Sequence, residues 1–352
     1  MKLLHTADLH LRELGDERWE TLQKLIEIGK MEEISIFVIS GDLFDKGIDA
    51  ENLRGQIREI FSNSGFKIII IPGNHDKDSY KSGMYFGDDT IILNDLTPFE
   101  YKNTRIIGMP FEPIKGGEVL NKIRALKKVL TDDKKNIILY HGELLDSFFS
   151  RKDFGEEGEE RYMPLKLSYL REVNIDYVLA GHFHTTFDVK RLENGGYFVY
   201  PGSPISITMR EVGQRKVNIF EIGKPPKEYP LDTPHFEEVI VEFDPFTGEN
   251  PLETVKRHFE RPRPEARVIL TIKGCINGKE IQMTEPELVS QIKKITAGKC
   301  AEERYEFRDI QTILENDLFK SFTAKLEQAG YGQDKAKQMR NIATKAMMEA
   351  VL

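Results

Sequence analysis

The chain has 352 residues, which exceeds one ordinary hydrophobic core and predicts a large domain followed by a smaller one. Its composition, 39% hydrophobic and 31% charged, excludes a disordered chain, and no apolar stretch approaches the roughly 20 residues that span a bilayer. The net charge of -8 is unusual for a nucleic-acid-binding protein, because affinity for phosphate normally comes from a surplus of Lys and Arg.

The cysteines and the N-terminal residues indicate the compartment. Only Cys275 and Cys300 are present, too few for a disulfide framework, and we expect two reduced thiols. Asp8 and His10 interrupt the segment where a secretory signal would need an unbroken apolar run. The sequence therefore predicts a cytoplasmic protein without a membrane segment.

Five short apolar runs, rich in Ile and Val, predict buried strands in the first half of the chain. They are residues 2–5, 34–39, 66–71, 136–140 and 175–179. Helical patterns lie between several of them, at Glu17–Met31, 50–61, 118–130 and 164–173. This alternation predicts an α/β domain, and the strand-rich stretches Thr104–Met109 and 197–222 extend its sheets.

A proline-dense stretch at residues 223–234 predicts a linker. We therefore place the first domain at 1–224, a smaller α+β domain at 235–309 and a pair of helices at 310–352. In the second domain His235–Phe243 and 266–272 alternate like strands, and Pro251–Phe259 and 285–295 are helical. The terminal pair shows two apolar stripes at helical spacing: Leu314, Leu318, Phe322 and Leu326, then Ala336, Met339, Ala343, Ala346 and Ala350.

Each of the five predicted strands ends in side chains of metal-ligand or acid–base type. In chain order these are Asp8 and His10; Asp42; Asn74, His75 and Asp76; His141; and His182 and His184. The carboxyl ends of neighbouring strands converge on one crevice in open α/β sheets, so we expect these groups to meet. A single such residue is more often a structural polar group, but five strand ends together indicate a site that holds two metal ions.

The donor types narrow the choice of metal. Carboxylate, imidazole and amide ligands suit Mn²⁺, Zn²⁺ or Fe²⁺ better than Ca²⁺, and a set without thiolates is unlike structural zinc. Gly41, Gly73, Gly142 and Gly181 next to the ligands allow tight turns and close approach of the backbone to an ion.

The motif order DxH, GD, GNHD, H and GHxH resembles the calcineurin-like metallophosphoesterase superfamily over residues 8–184. Three segments resemble its SbcD (Mre-eleven) branch of DNA repair nucleases: HTADLHL at 5–11, GDLFD at 41–45 and YPGSP at 200–204. The resemblance implies a two-sheet sandwich flanked by helices, followed by a cap domain that helps to position DNA.

The resemblance also implies roles for individual residues. One metal ion would be held by Asp8, His10, Asp42 and His184, and the other by Asp42, Asn74, His141 and His182. Two Mn²⁺ ions are expected, with Zn²⁺, Fe²⁺ or Mg²⁺ as alternatives. His75 would protonate or stabilise the leaving sugar oxygen, and Asp45, where archaeal and eukaryotic relatives usually have a histidine, is expected to orient His75.

The implied activity is that of a Mn²⁺-dependent 3′–5′ exonuclease on double-stranded DNA and endonuclease on single strands, in double-strand break repair. The implied partners are DNA, a second copy of the chain and an ATPase of the SbcC (Rad-fifty) type, to which the terminal helices would dock. Those helices alternatively pack on their own cap domain. Two other functions stay open: a metallophosphatase or phosphodiesterase acting on nucleotides or phosphoproteins, and a non-catalytic DNA-tethering subunit.

Two further segments have a functional and a simpler interpretation. The basic residues Lys122, Arg124, Lys127, Lys128, Lys134 and Lys135 are a candidate DNA surface, although a solvated helix face is the more common explanation. Residues 145–161, with three Phe and several Glu, are either a lid over DNA or an acidic surface loop.

Overall fold

The structure is a computed structural model that describes residues 1–81, 83–146 and 163–351. The chain divides into two compact units, Met1–Phe236 and Glu237–Leu352. The candidate lid at 145–161 lies almost entirely outside the described residues. Among the described helices, none has the length and apolar character that crossing a bilayer requires.

The first unit is built on two six-stranded sheets. Its strands are β1 Lys2–Thr6, β2 Ile36–Ser40, β3 Lys67–Ile71, β4 Thr90–Ile92, β5 Phe99–Tyr101, β6 Thr104–Met109, β7 Lys135–His141, β8 Tyr177–Gly181, β9 Asp188–Arg191, β10 Tyr197–Tyr200, β11 Lys216–Glu221 and β12 Glu228–Pro230. One sheet has the order β12-β11-β1-β2-β3-β4 and the other β5-β6-β7-β8-β10-β9. Within each sheet the central strands β1 to β3, or β6, β7, β8 and β10, are parallel, so their carboxyl ends lie along one edge.

The two sheets pack face to face through alternate residues of their strands. Leu3, Val38 and Ile69 of the first sheet share a buried cluster with Leu139 and Leu179 of the second. Side chains of a strand point alternately to its two faces, so every second residue of these strands is left to pack on the outer faces.

Helices cover those outer faces. They are α1 Glu17–Met31 and α2 Gly47–Ser62 on the first sheet and α3 Gly116–Leu126 on the second. Helix α1 begins after Asp16, whose carboxylate accepts a hydrogen bond from the Trp19 amide at 2.8 Å. The predicted two-sheet sandwich flanked by helices is therefore confirmed.

The helix predicted over 164–173 is wrong. Only a 3₁₀ turn, Leu167–Leu170, forms there. The Leu165 amide donates to the Glu143 carbonyl and its carbonyl accepts from the Leu145 amide, both at 2.8 Å. Because these backbone groups are engaged in a strand-like bridge, they are not available to start a helix.

The stretch predicted as a linker, 223–234, contains β12, which pairs with β11 in the first sheet. Its prolines do not prevent this, because β12 is an edge strand and needs hydrogen bonds on one side only.

The second unit is a smaller α+β fold with the sheet order β13-β14-β15. Its elements are β13 His235–Phe243, α4 Pro251–Phe259, β14 Ala266–Ile276, α5 Gly278–Ile281, α6 Glu285–Thr296, β15 Cys300–Asp309, α7 Gln311–Glu315, α8 Asp317–Gln328 and α9 Gln333–Val351. Val255 of α4 and Leu288 of α6 share a core with Val241, Leu270 and Phe307 of the sheet.

The terminal helices bury part of their apolar surface within the second unit. Phe319 of α8 and Ala343 of α9 pack in a cluster with Ile313. Leu318, on the apolar stripe that the sequence indicates, is 72% exposed and lies outside this cluster. Asn316 caps α8 by accepting a hydrogen bond from the Leu318 amide at 2.9 Å. In this helix Phe319, the neighbour of Leu318, is buried.

Candidate metal centre

The loops that follow the parallel strands bring the predicted site residues together. Three groups each have their ligand atoms within 4.8 Å of one another: Asp8, His10 and His184; Asp8, Asp42 and His141; and His10, Asp45 and His75. Asp8 and His10 each belong to two groups, so the three form one continuous cluster. Asn74 and His182 lie beside this cluster.

Asp42 contacts both sides of the cluster. Its Oδ2 atom lies 3.2 Å from Nε2 of His141 and 3.8 Å from Nε2 of His10. Its Oδ1 atom accepts a hydrogen bond from the His75 amide at 2.9 Å. Asn74 lies on the His141 side, with Oδ1 2.9 Å from Nε2 of that ring.

His10 and His184 face each other on the opposite side. Their Nε2 atoms are 3.4 Å apart, and Nε2 of His184 lies 3.7 Å from Oδ1 of Asp8. The Asp8 carboxylate also accepts from the His182 amide, with both oxygens at 3.1 Å. The His182 ring packs edge-on to the ring of His141, 5.4 Å between centroids.

His75 stands at the solvent side of the cluster. Its ring is exposed and packs edge-on to His10, 4.7 Å between centroids. Nδ1 of His75 lies 3.2 Å from the backbone carbonyl oxygen of Asp45.

The Asp45 carboxylate contacts one histidine and two guanidinium groups. Its oxygens lie 3.4 Å from Nδ1 of His10, 3.0 Å from Nε of Arg12 and 3.5 Å from the Arg18 guanidinium. The Asp45 main chain thus contacts Nδ1 of His75, and its carboxylate lies against the His10 ring, with an oxygen within 4.8 Å of a His75 ring nitrogen. Because the positive charges of Arg12 and Arg18 already lie beside this carboxylate, they disfavour its binding of a metal cation.

Four of the predicted ligands have a left-handed backbone. The φ angles are +56° at Asp8, +50° at His10, +52° at Asp42 and +93° at His182. Residues other than glycine rarely adopt this region, and such strained positions concentrate at functional sites.

Two glycines leave the space that the ligands occupy. A Cβ atom at Gly41, where φ is +95°, would lie 2.0 Å from Nδ1 of His141, and one at Gly73 would lie 2.1 Å from Oδ1 of Asp42. The glycines in GD and GNHD thus permit the close packing of loop against ligand that the sequence predicts.

Burial and mutual charge act on the titratable groups in opposite ways. Burial raises the pKa of Asp8 to about 6. Burial would also raise the pKa of Asp42, but the nearby ring of His141 holds it well below its usual range. Burial lowers the pKa of His141, yet the Asp42 carboxylate outweighs this effect and raises that pKa to about 10. The buried centre therefore favours positive charge next to Asp42.

The donor set fits divalent cations. Oδ2 of Asp42 is buried and accepts no hydrogen bond from the described residues. Nδ1 of His10 and Nδ1 of His184 each lie 3.4 Å from a carboxylate oxygen, of Asp45 and Glu211 respectively, which favours a proton on each Nδ1. The two Nε2 lone pairs then converge, and a cation between them would relieve their repulsion.

Three buried residues support the proposed ligands, a role that the sequence analysis assigned to none of them. Glu211 lies beside His184, Arg215 donates hydrogen bonds to the carbonyls of His184 and Thr185, and Asp76 accepts from the amides of Gly73 and Leu43 and from the Tyr80 hydroxyl. The signals were weak, because Glu211 and Arg215 follow the YPGSP segment in a loop without periodicity, and Asp76 was noted only as part of GNHD.

Comparisons with known proteins identify the family of the first unit. Residues 1–186 match the family described as calcineurin-like phosphoesterase. The chain is 26% identical to the SbcD subunit of the nuclease SbcCD from Staphylococcus saprophyticus, over 74% of this chain and 73% of that protein.

Two solved structures are also similar to the chain. A dimetal phosphatase from Danio rerio is 11% identical with a TM-score of 0.44, over 62% of this chain and 91% of that one. A 5′-nucleotidase precursor from Thermus thermophilus is 15% identical with a TM-score of 0.39, over 66% and 54%.

The family match covers more than half of the chain, and the predicted metal ligands lie within the matched residues. The similarity to the staphylococcal nuclease subunit supports the SbcD branch that the motifs indicate. This chain belongs to the calcineurin-like phosphoesterase family and is a metal-dependent phosphoesterase.

Proposed function

We propose that the chain is a DNA nuclease that hydrolyses phosphodiester bonds with two Mn²⁺ ions, as a 3′–5′ exonuclease on duplex DNA and an endonuclease on single strands. We place it in the cytoplasm, in the repair of DNA double-strand breaks. The observation that carries the proposal is the position of Asp42, whose carboxylate lies within 4 Å of Nε2 of both His10 and His141. The similarity to a nuclease subunit supports a nucleic acid as the substrate.

The residues divide into two ligand sets that share Asp42. Asp8, His10, Asp42 and His184 would hold one ion, and Asp42, Asn74, His141 and His182 the other. Two bound cations would stabilise charge on the phosphodiester and lower the pKa of an attacking water. The protein supplies rigid ligands, since all of these side chains except Asn74 are buried.

His75 is suited to act on the leaving group. As an imidazolium it donates from Nδ1 to the Asp45 carbonyl oxygen, 3.2 Å away, and keeps a proton on Nε2. That proton can pass to the sugar oxygen, which would otherwise leave as a poor alkoxide. The exposure of the ring allows contact with a polymeric substrate.

Asp45 acts on this step indirectly. Its carbonyl orients His75, and its carboxylate holds the His10 ring and the Arg12 guanidinium. The carboxylate stays ionised because, although burial opposes ionisation, His10 and Arg12 keep its pKa well below the usual range.

The smaller domain and the terminal helices complete the proposal. We assign nuclease chemistry to residues 1–224, DNA capping to 235–309, and docking of an SbcC-type ATPase to 310–352. Leu318 and Ile342 are 72% and 69% exposed, which leaves apolar surface for a partner after the helices have packed on their own unit. We also propose a homodimer, which light scattering of the purified chain would test.

The basic cluster adds little to the DNA part of the proposal. Four of its lysines form ion pairs with acidic neighbours: Lys122 with Glu112, Lys127 with Glu172, Lys134 with Glu100 and Lys135 with Asp176. These contacts fit a solvated surface, so positive charge for the DNA backbone would come chiefly from the bound cations.

A substrate competition tests the function. Purified chain with Mn²⁺ would be given end-labelled duplex, hairpin and circular single-stranded DNA, beside a nucleotide monoester and a phosphopeptide. We expect cleavage of the DNA substrates and its loss in EDTA. Faster turnover of the monoester or the phosphopeptide would replace the nuclease by a phosphatase, and metal binding without hydrolysis of any substrate would favour a tethering subunit.

A further inference from the structure

The loop between β10 and β11, residues 201–215, places a buried carboxylate behind a proposed metal ligand. Glu211 is 1% exposed, and its Oε1 atom lies 3.4 Å from Nδ1 of His184. The opposite ring nitrogen of His184 points toward Asp8 and His10. Glu211 therefore lies on the side of the ring away from the cluster and is not itself placed to be a ligand.

Three donors from the same loop fix the Glu211 carboxylate. Oε2 accepts hydrogen bonds from the Ser203 hydroxyl at 2.9 Å and the Ile207 amide at 2.8 Å, and Oε1 accepts from the Thr208 hydroxyl at 3.2 Å. A buried carboxylate with this many donors has one well-defined orientation. The remaining direction of Oε1 is the one toward His184.

The loop also holds the main chain of His184. The carbonyl oxygen of His184 accepts from the Ser203 amide at 3.0 Å and from the guanidinium of Arg215, which is 2% exposed. Nε of Arg215 donates to the Ser203 carbonyl at 3.0 Å. Ring and backbone of one ligand are thus fixed by a single structural unit.

We infer that Glu211 is a positioning residue, which keeps the proton of His184 on Nδ1, directs Nε2 toward Asp8 and His10, and so sets the affinity of that one metal position. The inference rests on the proposed two-metal site. A carboxylate behind a ligating histidine makes the ring more basic and fixes its orientation, and loss of such a partner typically weakens metal binding 10- to 100-fold. The other position should be insensitive, because His141 has the Ser40 carbonyl, at 2.8 Å from its Nδ1, in the equivalent place.

Metal titration of Glu211→Gln tests this. Free Mn²⁺ would be followed by electron paramagnetic resonance, and binding heats by calorimetry. We expect wild type to bind two ions, and the variant to bind one unchanged and the other about 10- to 100-fold more weakly. Glu303→Gln is the matched control, because Glu303 also accepts a hydroxyl hydrogen bond, from Tyr305 at 2.9 Å, but lies in the second unit.

The outcomes separate the inference from the function on which it rests. A wild type that binds fewer than two ions overturns the two-metal site, whereas two unchanged affinities in Glu211→Gln overturn the role of Glu211. Unfolding in EDTA reports whether the variant folds; if it does not, Ser203→Ala, which removes one donor to Glu211, should weaken the same position to a smaller extent, and no weakening refutes the role.

A double-mutant cycle identifies the path of the effect. In a His184→Ala background, Glu211→Gln should cause no additional loss of Mn²⁺ affinity, because the ring through which it acts is gone. An equal loss in both backgrounds would mean a general structural effect and would refute the positioning role.

Discussion

Nε2 of His141 lies 3.2 Å from Oδ2 of Asp42, and both side chains are fully buried. Burial lowers the pKa of the ring, but the carboxylate dominates and raises it to about 10. Without a cation, a proton on His141 thus supplies the positive charge beside Asp42. A metal ion and the proton on His141 therefore compete for the same position beside Asp42.

The metal-free chain should lose stability as the pH rises from about 6.5 to about 10. A histidine whose pKa is raised on folding contributes stability that is complete below its unfolded value, 6.5, and is lost as the pH rises through about 10. Thermal unfolding in EDTA across this range measures the effect. His141→Asn should flatten that part of the profile, and saturating Mn²⁺ should flatten it in wild type; a wild-type profile that is already flat in EDTA would contradict the assignment.

His75→Asn should retain both metal ions and its affinity for DNA but lose most cleavage. A positioned general acid contributes about 10²- to 10⁴-fold to rate, and the asparagine cannot donate a proton to the leaving oxygen. Single-turnover cleavage of end-labelled DNA measures the loss. His258→Asn, on α4 in the second unit, is the control for the exchange itself, and equal rates in the two variants would remove His75 from the reaction.

Gly41→Ala should disrupt the His141 side of the centre. The new methyl group would lie 2.0 Å from Nδ1 of that ring, at a backbone φ of +95° that an alanine rarely adopts. We expect a lower melting temperature and loss of one bound Mn²⁺. Gly55→Ala is the matched control: a Cβ there meets nothing within 4 Å, and the exchange in α2 should add about 0.5–1 kcal/mol to the free energy of unfolding.

Neighbouring residues at the start of α8 should respond in opposite ways. Phe319 is 2% exposed, so Phe319→Ala should reduce the free energy of unfolding of the second unit by about 3–5 kcal/mol. Leu318 is 72% exposed, and Leu318→Ala should change it by less than about 0.5 kcal/mol. Under the proposed function, Leu318→Ala instead weakens binding of the partner ATPase, measured by calorimetry; unchanged binding would exclude Leu318 from that interface.

Local patterns predict much of the fold where one face of an element is buried. Helix α1 has the predicted bounds, because Asp16 caps it and its apolar residues recur at helical spacing. Strand β15 was missed, since its sequence CAEERYEFRD is mostly charged and its pairing with β14 is a long-range contact. The helix predicted over 164–173 failed for a similar reason: the bridge between Leu144 and Leu165 is invisible in local periodicity.

The convergence of the proposed ligand residues was predictable because they lie at the ends of strands, and the carboxyl ends of neighbouring parallel strands meet at one edge of a sheet. The contacts that hold these ligands in place, such as those of Asp45 and Glu211, were not predictable. The Asp45 carboxylate contacts His10, Arg12 and Arg18, and motif position carries no information about where the two arginines lie. Glu211 meets His184 across 27 residues of chain, with no spacing rule that links them.

The left-handed backbone at Asp8, His10 and Asp42 has a consequence for attempts to raise the thermal stability of this protein. Each such residue costs of the order of 1–3 kcal/mol, which a glycine at the same place would largely recover. A library selected only for thermal stability would therefore enrich glycine at these positions and lose the side chains that we propose as metal ligands. Selection for thermal resistance must be combined with selection for cation uptake.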